Sequence, residues 1–342
     1  MRTVPPVEDL GEGVWSIPVP VPHNPIGFTY VYVLPALGGP VLIDTGWNHE
    51  DSWDALVSGL KQTGHGVDEV QGAVITHFHG DHSGLVGRLR EASGAWIAMH
   101  PADIEVLRRL EEHTDEERSA SVIDQMTRAG FPEQDIETFR ASPNVFRSPA
   151  PPDLALRDGE RVDAPGLDLR AVWTPGHTPG HLCLHLAERD LLFTGDHVLP
   201  RITPHVGQFP LDSADGNPLG DFLASQSRIG RMPEADRLMC LPSHETRFSG
   251  LAERAEEIID HHEERLQSMA RLLEQGPTTL WELTSNLEWR RPWADMRTLA
   301  RHMAASETAA HLRLLEERGL ITRNGSADLP RWASVAGPHL PE

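Results

Sequence analysis

His77-Phe78-His79-Gly80-Asp81-His82 places three imidazoles and a carboxylate within six residues. Neutral imidazole nitrogen and carboxylate oxygen suit zinc and other borderline divalent ions, and a short loop fixes several coordination directions at little entropic cost. Upstream, Gln71-Gly72-Ala73-Val74-Ile75-Thr76 is a short apolar run with β-branched residues, the pattern of a buried strand. Downstream, residues 83–91 read as a helix. The cluster therefore sits on a strand-to-helix turn and reads as part of a metal site. The alternative is a polar loop that is merely rich in histidine, in a chain with 19 of them.

A metal site needs further ligands, and the sequence supplies them in the same setting. Thr174-Pro175-Gly176-His177-Thr178-Pro179-Gly180-His181 follows the strand-like residues 167–173, so His177 lies just beyond a strand end on a Gly/Pro turn. Leu191-Leu192-Phe193-Thr194-Gly195-Asp196 repeats the arrangement with a carboxylate. Leu238-Met239-Cys240-Leu241-Pro242-Ser243-His244 repeats it with a histidine. Ligand types placed directly after several short apolar strands converge at one edge of a sheet sandwich. That convergence, more than any single motif, carries the metal reading.

The run H-x-H-x-D-H at 77–82, followed in order by His177, Asp196 and His244, resembles the metallo-β-lactamase superfamily of metal-dependent hydrolases. The resemblance covers roughly residues 10–275 and includes Leu42-Ile43-Asp44-Thr45-Gly46, similar to the family's Asp-Thr-Gly turn before the first helix. One departure is visible: relatives often carry Pro-Gly-His-Gly at the last ligand, where this chain has Pro242-Ser243-His244-Glu245. The resemblance implies two divalent metal ions, with zinc the default and iron or manganese also accepted by such a donor set. His77, His79 and His177 would hold the first, Asp81, His82 and His244 the second, and Asp196 would bridge them. A pair about 3.5 Å apart can share a water, lower its pKa and present hydroxide to a carbonyl or phosphorus centre. Asp81 would also orient that hydroxide, so Asp81 and Asp196 carry catalytic as well as ligand roles.

Other residues nearby receive weaker assignments. His181 and Asp44 read as structural partners of the ligands, since metal-bound imidazoles need outer partners. His197, Arg201 and His205 lie on the loop after Asp196 and could touch substrate, with Arg201 binding an acidic group.

Composition supports a soluble enzyme and narrows little else. The 342 residues suffice for two domains. The two cysteines, Cys183 and Cys240, sit in apolar strand-like runs and read as buried thiols, not a disulfide framework. The start, Met1-Arg2-Thr3-Val4-Pro5-Pro6, lacks a long apolar segment, and no run of 18 or more apolar residues occurs, so the expectation is a cytoplasmic protein without a membrane partner. A net charge of -21 repels polyanions and disfavours nucleic acid as a partner, although a local basic groove would escape that average. Lys61 is the only lysine, so nearly all positive charge is arginine.

Strand and helix patterns alternate through the first 275 residues in two halves, which suggests an αββα sandwich with a catalytic domain over 1–275. Two insertions interrupt it. Residues 114–147, with Met126, Phe131, Phe139 and Phe146, have helical character and read either as a lid over the substrate pocket or as a surface excursion. Residues 198–217 form a Pro/Gly-rich flap. Residues 251–275 read as one long helix whose adjacent His261 and His262 cannot face one site. A small unit over 276–342 has helices at 278–286 and 306–318 and a two-stranded wing around Asn324-Gly325, an order that resembles the winged-helix appendage of some superfamily members. Its residues after 276 balance eight acidic against eight basic side chains, so the reading is packing or homodimerisation, or one wall of the substrate cleft, in preference to duplex binding.

Two function classes follow. The first is hydrolysis of a small-molecule thioester, ester or lactone, like glyoxalase II and the lactonases. The second is a phosphodiesterase or single-strand endoribonuclease, since winged-helix relatives such as β-lactamase-like protein 2 cleave single-stranded RNA. The complete ligand set disfavours a binding protein with a dead site, and the absence of a signal sequence makes antibiotic hydrolysis a weak reading.

Overall fold

The computed structural model describes residues 3–141, 150–209, 216–326 and 328–335. The chain divides into two compact units, one of residues 1–111, 147–204 and 224–256, the other of 112–146, 205–223 and 257–342. The units interleave along the sequence, where the sequence reading draws a single boundary at 275/276.

In the first unit a seven-stranded sheet runs in chain order. Strands β1 (Glu8–Gly11), β2 (Val14–Pro20), β3 (Phe28–Leu34) and β4 (Val41–Ile43) pair antiparallel. Helix α1 (Glu50–Gln62) then leads to β5 (Gly72–Val74), and α2 (Gly80–Ser83) and α3 (Val86–Ser93) lead to β6 (Trp96–Met99), both strands adding in parallel. Every residue of β4 and β5 is buried, as parallel strands covered on both faces require. Helix α4 (Pro101–Glu111) follows; after it come α5 (Asp115–Ala129) and α6 (Glu133–Arg140), which belong to the second unit, and β7 (Leu154–Ala155) closes the sheet.

The second sheet has the order β11-β10-β9-β8, with β8 (Leu169–Trp173), β9 (Leu182–Leu186) and β10 (Leu191–Gly195) antiparallel. Helix α7 (Pro218–Gly230) precedes β11 (Met239–Pro242), which joins β10 in parallel, and α8 (Leu251–Leu273) follows. Val14, Tyr32, Leu34, Ile43 and Val74 of the first sheet meet Leu169, Leu184, Phe193 and Leu241 of the second in one buried cluster. The Tyr32 and Phe193 rings lie 5.0 Å apart edge to face, and the Tyr32 hydroxyl donates to the Pro242 carbonyl at 2.7 Å, which ties the sheets together beside the site. Ile17 points the other way, onto α1. Gly59 of that helix has to be glycine, because a Cβ there would come within 2.4 Å of Ile17. The architecture is the expected αββα sandwich. Cys183 and Cys240 are buried free thiols.

Local differences have physical causes. Between β7 and β8 the chain pairs only through an isolated bridge, Arg161 to Arg170. Strand β1, polar and largely exposed, has no apolar pattern to announce it.

The second unit is mostly helical. Thr114 and Glu117 form a reciprocal capping box that starts α5, and Thr279 and Glu282 do the same for α9 (Leu280–Asn286). Helix α10 (Thr298–Glu317) starts eight residues before the expected 306. Arg297 offers no capping side chain at its start, and Ser306 lies inside the helix with its hydroxyl donated back to the Met303 carbonyl. Strands β12 (Ile321–Gly325) and β13 (Pro330–Ser334) pair antiparallel as expected. The apolar residues of the 114–147 insertion pack inside this unit: Phe131 lies 4.5 Å from the Trp281 ring, Phe139 5.7 Å from His302, and Asp135 pairs with Arg301 at 3.2 Å. Phe146, residues 210–215 of the flap and residues 336–342 fall outside the described residues. Among the described residues no helix is long and apolar enough to cross a membrane.

Candidate metal centre

The ligand-bearing segments leave the sheets at strand ends, as the sequence implies: β5 before His77, β8 before His177, β10 before Asp196 and β11 before His244. Two of them, those of His77 and His244, are held by Asp44, just after β4. Its Oδ1 accepts from the Thr76 amide at 2.8 Å, its Oδ2 lies 2.7 Å from Nδ1 of His82, and the Ser243 hydroxyl donates to it at 3.2 Å. Asp44 adopts a φ of 62°, a conformation that aspartate tolerates better than most residues. The proton on His82 is thereby fixed at Nδ1, and Nε2 is turned inward. His244 is set in the same way, with Nδ1 donating to the Phe28 carbonyl at 3.1 Å.

Two donor clusters result. Nε2 of His77, Nδ1 of His79 and Nε2 of His177 lie 2.9, 3.1 and 3.2 Å from one another. Tetrahedral zinc with nitrogens at about 2.0–2.1 Å separates its ligands by about 3.3–3.4 Å, so this triangle suits one ion with little adjustment. In the second cluster, Oδ2 of Asp81 is 3.6 Å from Nε2 of His82 and 3.4 Å from Nε2 of His244. Asp196 reaches both: Oδ1 is 3.3 Å from His244 and 3.6 Å from His82, while Oδ2 is 3.7 Å from Nε2 of His177.

The buried atoms Nε2 of His82, Nε2 of His244 and Oδ1 of Asp196 converge with no hydrogen-bond partner among the described residues. Buried polar atoms are seldom left so, and a cation is what such inward-facing donors accommodate. The sets His77/His79/His177, His77/His82/Asp196 and Asp81/His82/His244 each have the spacing to hold a metal ion.

Protonation differs between the clusters. Burial, reinforced by neighbouring histidines, pushes His77 well down and His79 to about 3, so these imidazoles are neutral and keep their lone pairs. In the second cluster burial opposes charge but loses. Asp81, Asp196 and Asp44 hold His82 well above its ordinary value, and Asp196 with Asp81 raises His244 to about 9. Asp81 and Asp196 are depressed in return by His82 and His244. Without a cation the second cluster is thus a buried network of opposite charges, and a divalent ion would take the place of its protons.

A family model described as the metallo-beta-lactamase superfamily matches residues 24–244, a span that contains every one of these donors. The chain belongs to the metallo-β-lactamase superfamily. Members of this superfamily are metal-dependent hydrolases. A metallo-beta-lactamase family protein from Thermus thermophilus has the same fold with a TM-score of 0.76 and 30% identity, over 96% of this chain and 100% of that one. The beta-lactamase-like protein 2 homolog of Caenorhabditis elegans is 27% identical over 85% of this chain and 81% of its own length. A hydroxyacylglutathione hydrolase from Cereibacter sphaeroides is 32% identical over 37% of this chain and 33% of its own. The chain spans 56% of the length of the lactamase-like protein adaB of Aspergillus niger, which it also matches.

Around this metallo-β-lactamase centre the outer residues sort by contact. His181 is structural, as expected: its Nδ1 faces the Thr174 hydroxyl at 2.8 Å and its Nε2 accepts the Asp196 amide at 3.1 Å. His197 is fully buried, its ring 5.6 Å from that of His181, which gives it a packing role. Arg201 is 71% exposed, with Nε 3.6 Å from Glu245. His205 lies in the second unit, Nδ1 3.6 Å from Glu307 and Nε2 3.3 Å from the Ser306 hydroxyl. The sequence reading missed two residues. Glu245, buried at a φ of 70°, accepts the backbone amides of Arg201 and Ile202; the superfamily's usual glycine at this position was the one available signal. Asp103, in the first turn of α4, is fully buried and accepts from Phe78, Thr178 and Gly180; in sequence it is indistinguishable from an ordinary acidic residue at a helix start.

Proposed function

We propose that the protein is a dinuclear metal hydrolase of small-molecule thioesters, esters or lactones. In this reading His77, His79 and His177 hold one divalent ion, Asp81, His82 and His244 hold the other, and Asp196 spans the two. The observation that carries it is the split of Asp196, whose two oxygens face different clusters. Such an ion pair supplies Lewis acidity and lowers the pKa of water, so no side-chain nucleophile is required. The chain's own residues orient the donors. Asp44 turns His82 inward, the Phe28 carbonyl does the same for His244, and His181 fixes the backbone of Asp196. Asp81, 19% exposed on its side chain, is the carboxylate placed to accept a proton at the edge of the site.

Support for the acyl class comes from charge and kinship. A net charge of -21 opposes polyanionic substrates, and the match to a hydroxyacylglutathione hydrolase points to a thioester. Zinc is the favoured ion for this His/Asp set. We assign the helices α9 and α10 with the β12–β13 ribbon to a winged-helix type of appendage that packs or pairs copies of the chain.

The test combines metal analysis with a substrate panel of thioesters, lactones, bis-p-nitrophenyl phosphate and single-stranded RNA. The expectation is close to two metal equivalents per chain, turnover of thioester or lactone, and loss of turnover in His79→Ala and Asp196→Asn. Preference for the phosphodiesters would overturn the acyl reading, and full activity in either variant would overturn the dinuclear one.

A further inference from the structure

Outside the metal donors lies a carboxylate that none of them touches. Asp103 is fully buried, on the first turn of α4. Its Oδ2 accepts from the amide of Phe78 at 3.0 Å and from the hydroxyl of Thr178 at 2.8 Å, and its Oδ1 accepts from the amide of Gly180 at 2.6 Å. Phe78 lies between His77 and His79, and Thr178 follows His177. One carboxylate therefore grips both loops that carry the first donor triangle, and no other described contact links those loops through a single side chain's two oxygens.

The surroundings are shaped for that grip. A Cβ on Gly180 would sit 2.5 Å from the Asp103 amide nitrogen and 2.7 Å from its Cγ, so glycine is what lets the second loop close onto the carboxylate. All three donors are neutral, so the carboxyl is taken out of water without an ion pair from them, and burial pushes it up to about 7 against the pull of these hydrogen bonds. Burying a carboxylate is costly unless its oxygens are fully hydrogen-bonded, and the two oxygens here receive three bonds. An amide of the same shape could not replace it. With its oxygen in the place of Oδ2 it would keep Phe78 and Thr178 but turn an NH2 toward the N–H of Gly180, and in the opposite orientation its NH2 would meet the N–H of Phe78.

We infer that Asp103 is a positioning residue for the first metal centre, clamping the His77/His79 loop to the His177 loop and so setting the triangle that binds one ion. The inference rests on the dinuclear reading above. It predicts selectivity between the two sites, because Asp103 touches neither the Asp81–His82 turn nor the His244 segment. Residues that orient metal ligands from outside are worth about 10–100-fold in affinity.

The experiment titrates the full-length, metal-stripped protein with Co2+, following the visible ligand-field bands and competing with a chelator, for the wild type, Asp103→Asn and Thr178→Val. The expected result is a folded Asp103→Asn protein in which one of two equivalents binds about 10–100-fold more weakly, with a changed spectrum for that equivalent, while the other keeps its affinity. Thr178→Val removes one of the three bonds and should weaken the same equivalent by a smaller factor; should Asp103→Asn fail to fold, this variant decides alone. Unchanged binding of both equivalents, or equal weakening of both, overturns the inference. A wild type that binds fewer than two equivalents overturns the dinuclear reading instead, so the two failures are separable.

Discussion

Nδ1 of His82 lies 2.7 Å from Oδ2 of Asp44, and both side chains are completely buried. The same carboxylate accepts the Thr76 amide and the Ser243 hydroxyl, so one residue after β4 ties together the chain leaving β5 and the chain leaving β11. Asp44→Asn keeps the size and the left-handed backbone but turns an NH2 toward a donor. The expected outcome is a folded protein whose metal affinity, measured by chelator competition, falls about 10–100-fold. Wild-type affinity in this variant would show that the orientation of His82 is set elsewhere.

Gly195 ends β10 at a φ of 52°, and a Cβ there would lie 2.5 Å from Nε2 of His181, the atom that accepts the Asp196 amide. Gly195→Ala therefore pushes on the residue that fixes Asp196. A displacement on the order of 1 Å at a reacting centre can cost about 100-fold in rate. Turnover should fall by roughly that factor, with a stability loss of about 1–3 kcal/mol from strain and crowding, read from urea denaturation. A variant with wild-type turnover would remove His181 from the positioning of Asp196.

How much of this centre is legible in the sequence follows from where each residue's signal resides. His77, His79, Asp81, His82, His177, Asp196 and His244 are of uncommon ligand types, each close after an apolar strand, so local pattern alone singles them out. Asp103 carries no such mark, because acidic residues at helix starts are ordinary and its partners are 25, 75 and 77 residues distant. Glu245 stands out only as a departure, since a buried glutamate at positive φ makes sense only once the 201–202 backbone is seen against it. The sequence reading starts helix α10 too late because the true start, after Arg297, has no capping side chain to mark it. Strand pairing and ligand position are local information, and the clamps are not.

Glu245 allows two opposed effects to be weighed. Its φ of 70° costs on the order of 1–2 kcal/mol for a residue with a Cβ, which Glu245→Gly would relieve. Its carboxylate, however, accepts the Arg201 and Ile202 amides at 3.1 and 3.3 Å, and hydrogen bonds to a charged group are worth about 1.5–3 kcal/mol each. The bonds outweigh the strain. Glu245→Gly should lower stability by about 1–5 kcal/mol in urea denaturation, although it restores the residue that relatives often carry. A more stable variant would show that the two bonds contribute little.

The second unit contains a buried histidine pair, Nδ1 of His262 3.1 Å from Nε2 of His311, away from the metal donors in sequence and in unit. Burial lowers His262 to about 3 and His311 to about 4, and the His311 ring further opposes charge on His262. Glu307 works against this by attracting a proton to both, while Arg265 and the exposed His261 disfavour it. In the unfolded chain both histidines titrate near 6.5. Between about pH 6.5 and 4 the unfolded state thus binds protons that the folded state refuses, so stability is fully present above this window and is lost as pH falls through it. The slope approaches about 1.4 kcal/mol per pH unit for each histidine. His262→Gln keeps a polar contact to His311 without a titrating ring. Between pH 7 and 4.5 the urea midpoint of the wild type should therefore fall more steeply than that of His262→Gln, and parallel pH profiles would show that the pair is not held neutral by its burial.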